Sequence, residues 1–150
     1  MIERHFCVTT YVRKIDAPEY LFIFHKKLAK WLPPGGHVDP NEVPEDAAIR
    51  ECLEETGIRI KLFGNIPKIE GGMITPYGMQ KNIIVQNKHE HIDLIYLAYP
   101  AEHNAPLILN DKETTGLKWF NLKEIESASF NSFAAVKYWA QYFAKIELMQ

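Results

Sequence analysis

Three glutamates, Glu51, Glu54 and Glu55, fall within five residues, directly after a loop that holds Pro33, Pro34, Gly35 and Gly36. Like charges at helical i,i+4 spacing cost about 0.2–0.5 kcal/mol per pair, so such crowding needs a reason. At ~100° per residue the three acids share an arc of roughly 100°. One reading is a solvated charged helix face, with Arg50 pairing to Glu54 at i,i+4. The other is a nest for a hard divalent cation. Mg²⁺ takes oxygen ligands and is often held by a few carboxylates together with substrate phosphates. The loop in front favours the nest. Its glycines let the backbone approach a ligand closely, and its prolines stiffen the entry, so that a carbonyl can be aimed at the acids.

Those acids need a helix. Pro44 to Thr56 reads as one, with proline in the first turn, Glu45 and Asp46 at its positive end and Gly57 at its stop. Ala48, Ile49, Cys52 and Leu53 are expected to pack on a sheet, leaving the acids as an edge. Strand patterns occur at His5–Lys14, where Phe6, Val8, Thr10 and Val12 alternate, and at Tyr20–Lys27. The Asp16–Pro18 stretch between these two reads as a hairpin-like turn. "WLPPGG" (Trp31–Gly36) is expected to break any regular element. Further strands are expected at Ile58–Gly64, in "NIIVQ" (Asn82–Gln86), at His91–Tyr99 and at Leu117–Leu122, the last leading into a helical turn at Lys123–Ser127. The segment Gly64–Gln80 reads as a long loop, a frequent place for function. Asn131 or Ser132 is expected to cap a last helix running to about Leu148, with Phe133, Val136, Ala140, Phe143 and Ala144 at helical spacing. Strands outnumber helices, which implies an α+β fold with helices packed on a mixed sheet.

Bulk properties narrow the function. The chain has 150 residues, enough for one domain with a real core. Its formal net charge of −2 gives no global field for nucleic acid or an anionic membrane. Neither a signal peptide nor an apolar run long enough to span a bilayer is visible. The two cysteines, Cys7 and Cys52, lack metal or redox spacing, and Cys52 reads as a buried thiol; a cytoplasmic setting is expected.

The run Gly36–Ile58 resembles the Nudix box, Gly-x5-Glu-x7-Arg-Glu-U-x-Glu-Glu-x-Gly-U with U apolar. Gly36, Glu42, Arg50, Glu51, Cys52, Glu54, Glu55, Gly57 and Ile58 fill its positions, and Cys52 at the first U is the one unusual choice. The resemblance implies an α/β/α sandwich around a mixed sheet. It implies divalent-metal-dependent hydrolysis, with Mg²⁺ or Mn²⁺, of a diphosphate linkage in a nucleoside diphosphate joined to some group X. It assigns Glu51, Glu54 and Glu55 as metal ligands, with the carbonyl of Gly35. By the same resemblance, Arg50 orients a glutamate through an ion pair, and Glu42 is structural or supports the ligands from outside. Glu113, six residues before Trp119, is the candidate for a further ligand or the general base, with Asp111 as fallback.

Other residues are left with two readings each. Lys26, Lys27 and Lys30 are either solvated or point charges for phosphate. His37 is an exposed loop histidine or a phosphate contact. In "HEHID" (His89–Asp93), His91 and Asp93 share a strand face and line either the substrate groove or the polar side of the strand. A zinc site needs three or four convergent ligands, and two on one face argue against it. Tyr77 is a candidate to stack on a base; the other aromatics read as core. We expect a small nucleotide-type substrate and neither nucleic acid nor membrane as partner. The aromatic last helix serves either the core or a homodimer face. The alternatives are an inactive nucleotide-binding module, which the intact acids disfavour, and a prenyl-diphosphate isomerase of the same fold, whose extra residues are missing.

Overall fold

The computed structural model describes residues 1–110, 112 and 114–148. Its centre is a parallel pair, β1 (Glu3–Val12) and β7 (His89–Pro100), in register from Glu3 opposite His89 to Val12 opposite Ala98. Both faces of β1 are covered. Val8, Thr10 and Val12 are buried on one side, and Cys7 and Tyr11 on the other, as a parallel pair requires. Phe6, placed with the first group by alternation, is exposed near the strand's start.

Around this pair the sheet runs β4 (Gly35–His37), β1, β7, β5 (Ile60–Phe63). The long β7 also pairs along its first half with β6 (Gly78–Val85). A second, antiparallel sheet has the order β3 (Lys30–Leu32), β2 (Glu19–His25), β8 (Thr114–Asn121). The hairpin-like turn expected at Asp16–Pro18 does reverse the chain, with Lys14 N–H donating to the Glu19 carbonyl at 3.0 Å, but it does not extend into a two-stranded ladder. An isolated bridge, Arg13 to Tyr20, joins them before the chain changes sheets. The reason is burial: Tyr20 and Phe22 of β2 meet Tyr11, Ile95 and Leu97 in the core between the sheets. That core also takes Val136, Ala140 and Phe143 from α3 (Ala134–Ala144). Tyr20 donates its hydroxyl hydrogen to the Ala140 carbonyl at 2.7 Å, and Arg13 donates to the Phe143 carbonyl at the helix end, where a cation is favoured.

"WLPPGG" does not break the structure as expected. Its prolines lie between two short strands, and the chain resumes pairing on each side of them. Thr10 donates its N–H to the Pro34 carbonyl at 2.9 Å, and β4 then pairs antiparallel with Cys7–Thr9. A Cβ at Gly35 would lie 2.3 Å from the Val8 carbonyl oxygen, so glycine is what lets β4 lie this close to β1.

Helix α1 spans Pro44–Thr56, as its end signals predict, and Gly57 closes it at φ 75° with its N–H on the Leu53 carbonyl. Its rotation differs from the expectation. The buried residues are Ala47, Ala48, Cys52 and Thr56, while Ile49 and Leu53 are 37% and 36% exposed. Small alanines let the helix settle onto Val8 and Tyr96, and the same inward face carries Glu51 and Glu55, both half-buried. The helix turns two acids inward and two aliphatics outward, a local rule broken in the way functional sites break them.

The last two helices follow local rules less evenly. α2 (Leu122–Glu126) opens with a capping box, Glu124 N–H to the Asn121 side chain at 2.8 Å and Asn121 N–H to the Glu124 carboxylate at 3.1 Å. The expected cap of α3 is not used. Phe133 holds the N-cap position, while Asn131 and Ser132 donate to the Ala29 and Trp31 carbonyls, tying this loop to the β2–β3 turn. The helix stops at Ala144. Tyr138 and Tyr142 point outward, 58% and 43% exposed. No described helix is long and apolar enough to cross a membrane.

Candidate active site

Arg50 organises the acids. Its Nε and Nη2 donate to the two Glu42 carboxylate oxygens at 2.8 and 2.9 Å, a bidentate pair. Nη1 donates to Glu51 at 3.0 Å and to Glu54 at 3.3 Å, and Nη2 also reaches the His37 carbonyl at 3.0 Å. One guanidinium thus joins the helix to the glycine strand and to the loop before the helix. The Glu42 carboxyl is held below the usual carboxylate range, first by its hydrogen bonds from Arg50. Glu51 moves the other way. Burial raises it, Arg50 opposes, and Glu54 and Asp39 add to the rise. A half-buried carboxylate pushed up chiefly by burial is one that gains from a cation.

The glycines make room for these acids. A Cβ on Gly36 would stand 2.3 Å from the Glu51 Oε1, so the carboxylate occupies space that any other residue would fill. Glu55 accepts the Gly35 N–H at 2.9 Å. Glutamate oxygens beside a glycine strand whose carbonyls are further oxygen donors suit Mg²⁺ or Mn²⁺ rather than a thiophilic ion. Gly36→Ala is expected to cost little stability, because the obstructed atoms are the end of a flexible side chain. Turnover should fall at least about 10-fold, because a misplacement near 1 Å is costly in a positioned site. Thermal melting beside a rate measurement separates the two effects, and an unchanged rate would show that the Glu51 position is immaterial.

The remaining candidates are spread more widely. Glu113 and its fallback Asp111 lie outside the described residues. The loop before them is anchored on α1: Ile108 N–H donates to the Thr56 carbonyl at 2.9 Å and the Asn110 amide to the Glu54 carbonyl at 3.3 Å. Lys26 is an exposed residue of the turn after β2. Lys30 is engaged at that end of the second sheet, on Asn131 at 3.1 Å and over the Phe133 ring. Tyr77 packs edge-on against Phe143 with ring centroids 5.2 Å apart, so the described contacts make it a neighbour of α3. Asp93 is buried, accepts the Asn82 side-chain amide, and is pushed up to about 6 by burial. A cleft of about 870 Å³ lined by Lys14, Lys61, Tyr99, His103 and Trp119 includes none of the box acids.

His37 and His91 turn out to belong together, with their rings edge-on at 4.7 Å. His5, which the sequence did not single out, and His89, named in the "HEHID" run but not counted on that face, join them. His89 shares the strand face of His91 and Asp93, so that face carries more donors than the two expected. Burial, with His37, His89 and His5 adding, pushes His91 down to about 4 and keeps its ring neutral. The only sequence signal was the alternation His89, His91, Asp93; the partners come from other strands.

Comparison with known proteins bears on the family and the fold. The family model described as NUDIX domain matches residues 10–139. A probable DHNTP pyrophosphohydrolase of Lactococcus lactis is 40% identical over 87 residues, 57% of this chain and 49% of that protein. The asymmetrical bis(5'-nucleosyl)-tetraphosphatase of Mus musculus is 32% identical over 94 residues, 63% of this chain and 57% of that one. These matches span about half the length of the curated relatives. Among solved structures, a NUDIX-family hydrolase from Clostridium perfringens superposes with a TM-score of 0.76 at 28% identity, covering 96% of both chains. With its box helix turned acid side inward beneath an arginine clamp, and a family match running from β1 into α3, the chain belongs to the NUDIX family.

Proposed function

We propose that this protein hydrolyses a diphosphate linkage in a nucleotide-type compound and needs Mg²⁺ or Mn²⁺ to do so. The observation that carries this reading is the Arg50 clamp on Glu42, Glu51 and Glu54, set beside a glycine strand that leaves room for the Glu51 carboxylate. Glu51, Glu54, Glu55 and the Gly35 carbonyl would hold the cation. An ion held there would polarise phosphoryl oxygens, lower the pKa of water and offset leaving-group charge. Arg50 keeps the carboxylates oriented, and a glutamate within reach of the attacking water accepts its proton.

Glu113 is our candidate for that proton acceptor or for a further ligand. The anchoring of Asn110 on Glu54 supports it, because it brings the preceding loop to the acidic helix. Glu113→Gln is expected to slow turnover at least about 100-fold, and a wild-type rate would move the role elsewhere. We further propose Asp93 and Lys26 as substrate contacts; the His37 ring stands edge-on to His91, and Tyr77 packs on Phe143. The names of the relatives, a DHNTP pyrophosphohydrolase and a bis(5'-nucleosyl)-tetraphosphatase, support a nucleotide-like polyphosphate as substrate. Cys7 and Cys52 are both free and buried, which suits the reducing cytoplasm in which we place the enzyme.

The test is product release across a panel of nucleoside triphosphates, nucleoside diphosphate derivatives, dinucleoside polyphosphates and a pterin triphosphate. Each is run with and without Mg²⁺ or Mn²⁺, with Glu54→Gln as the blank. Metal-dependent release that vanishes in the variant supports the proposal and identifies X. Silence across the panel from folded protein would overturn it in favour of a binding module.

A further inference from the structure

We propose that His5, His37, His89 and His91 form a second metal site, separate from the carboxylate site and selective for an imidazole-preferring ion, Zn²⁺ foremost. Three strands build it. The parallel register of β1 and β7 sets His5 opposite His91 and Glu3 opposite His89, while antiparallel β4 sets His37 opposite Cys7, one strand alternation away. Val8 pairs with Gly36 on the face that α1 covers. The histidines, at the alternate positions, therefore gather on the opposite face.

The geometry is that of a nearly closed nitrogen cage. One ring nitrogen from each of the four histidines lies within 4.8 Å of all the others. His89 Nε2 and His5 Nδ1 are 3.1 Å apart. A tetrahedral ion with bonds of about 2.0–2.1 Å needs ligand nitrogens about 3.3 Å apart, so one edge, now spanned by a hydrogen bond between the two rings, is close to that length, and the others start from within 4.8 Å.

Two further observations point to a ligand. His91 Nε2 is buried without any hydrogen-bond partner, and such orphans call for an explanation, an unseen ion among them. On the outer side, His5 Nε2 lies 2.8 Å from a Glu3 carboxylate oxygen. A carboxylate there fixes the tautomer and leaves Nδ1 facing inward with its lone pair, the arrangement that supports metal-bound histidine. Four imidazoles suit Zn²⁺ and neighbouring transition ions; the oxygen donors around Glu51 suit Mg²⁺ and Mn²⁺. The two sites touch through His37, whose carbonyl is held by Arg50 and whose chain neighbour Gly36 borders Glu51. An ion in the cage would pin β4 to β1 and β7 and so steady the glycine strand of the first site.

The experiment titrates metal-free protein with Co²⁺, then with Zn²⁺. Four-coordinate Co²⁺ absorbs strongly in the visible, whereas six-coordinate Co²⁺ on oxygen ligands absorbs weakly, so the spectrum reports which site fills. We expect one equivalent of Co²⁺ to give the strong band, Zn²⁺ to abolish it, and the band to persist in Glu51→Gln and Glu54→Gln. In His5→Gln and His89→Gln, both at partly exposed positions, the band should be lost and Zn²⁺ affinity should fall at least about 10-fold, with circular dichroism confirming the fold. A weak six-coordinate spectrum in the wild type, or Zn²⁺ affinity unchanged in both histidine variants, would overturn the proposal. Neither result depends on finding a hydrolase substrate.

Discussion

Glu54→Gln is expected to lower kcat by about 10²–10⁴-fold while changing the melting temperature by no more than about 4 °C. The fold has little stake in this carboxylate. Its side chain is 54% exposed, and its described carboxylate contact is one Arg50 nitrogen at 3.3 Å. An exposed pair of this kind contributes about 0–1 kcal/mol, and glutamine keeps the shape. Catalysis has a large stake, because a neutral amide oxygen binds a hard divalent cation far less well than a carboxylate does. Turnover under saturating substrate, measured across a Mg²⁺ titration, separates weakened metal binding from a damaged chemical step. A rate close to wild type at low Mg²⁺ would remove Glu54 from the metal set.

Arg50→Lys should have the second largest effect, and on both stability and rate. The substitution keeps the charge and loses the planar fork. Lysine cannot bind Glu42 bidentately and still reach Glu51, Glu54 and the His37 carbonyl, all of which Arg50 meets at 2.8–3.3 Å. Arg50 is 27% and Glu42 16% exposed, so the loss should fall below that of a fully buried pair, about 1–3 kcal/mol. For a chain of this size that lowers the melting temperature by roughly 2–4 °C per kcal/mol. Turnover should drop at least about 10-fold, because Glu51 loses the donor that fixes its carboxylate. Since the charge is unchanged, a lowered kcat would report position rather than field. Wild-type stability together with a wild-type rate would show that the clamp is incidental to both.

These two residues also mark the limit of what could be read from the chain alone. The span of α1 was legible to the residue, Pro44 to Thr56, because its ends obey local rules: proline and acids in the first turn, a left-handed glycine at the stop. The spacing of Arg50, Glu51, Glu54 and Glu55 is equally local, and so is the box they complete. Most of the longer strands were found for the same reason, since alternation is a property of neighbours in sequence, although β6 begins at Gly78, inside the stretch read as a loop. Which side of α1 faces the sheet was not a local matter. Apolar periodicity favoured Ile49 and Leu53, but the close approach to Val8 and Tyr96 admits alanines, and Glu51 and Glu55 turn inward with them.

Tertiary structure decided the rest. β1 and β2 look like a hairpin in sequence, yet they part into two sheets because Tyr20, Phe22 and Tyr11 bury one another between the layers. Lys30–Leu32 and Gly35–His37 are too short to announce themselves as strands, and they exist because partners lie ready for them. The histidine quartet is the clearest case. His5 and His89 are 84 residues apart, and only the parallel register of β1 with β7 brings their ring nitrogens to 3.1 Å. The box motif pointed to the family, and local spacing gave the box helix and the acids we propose carry its chemistry. Register between distant strands determined which other side chains stand together, because a period-two pattern states which face a residue takes and is silent about which strand will lie beside it.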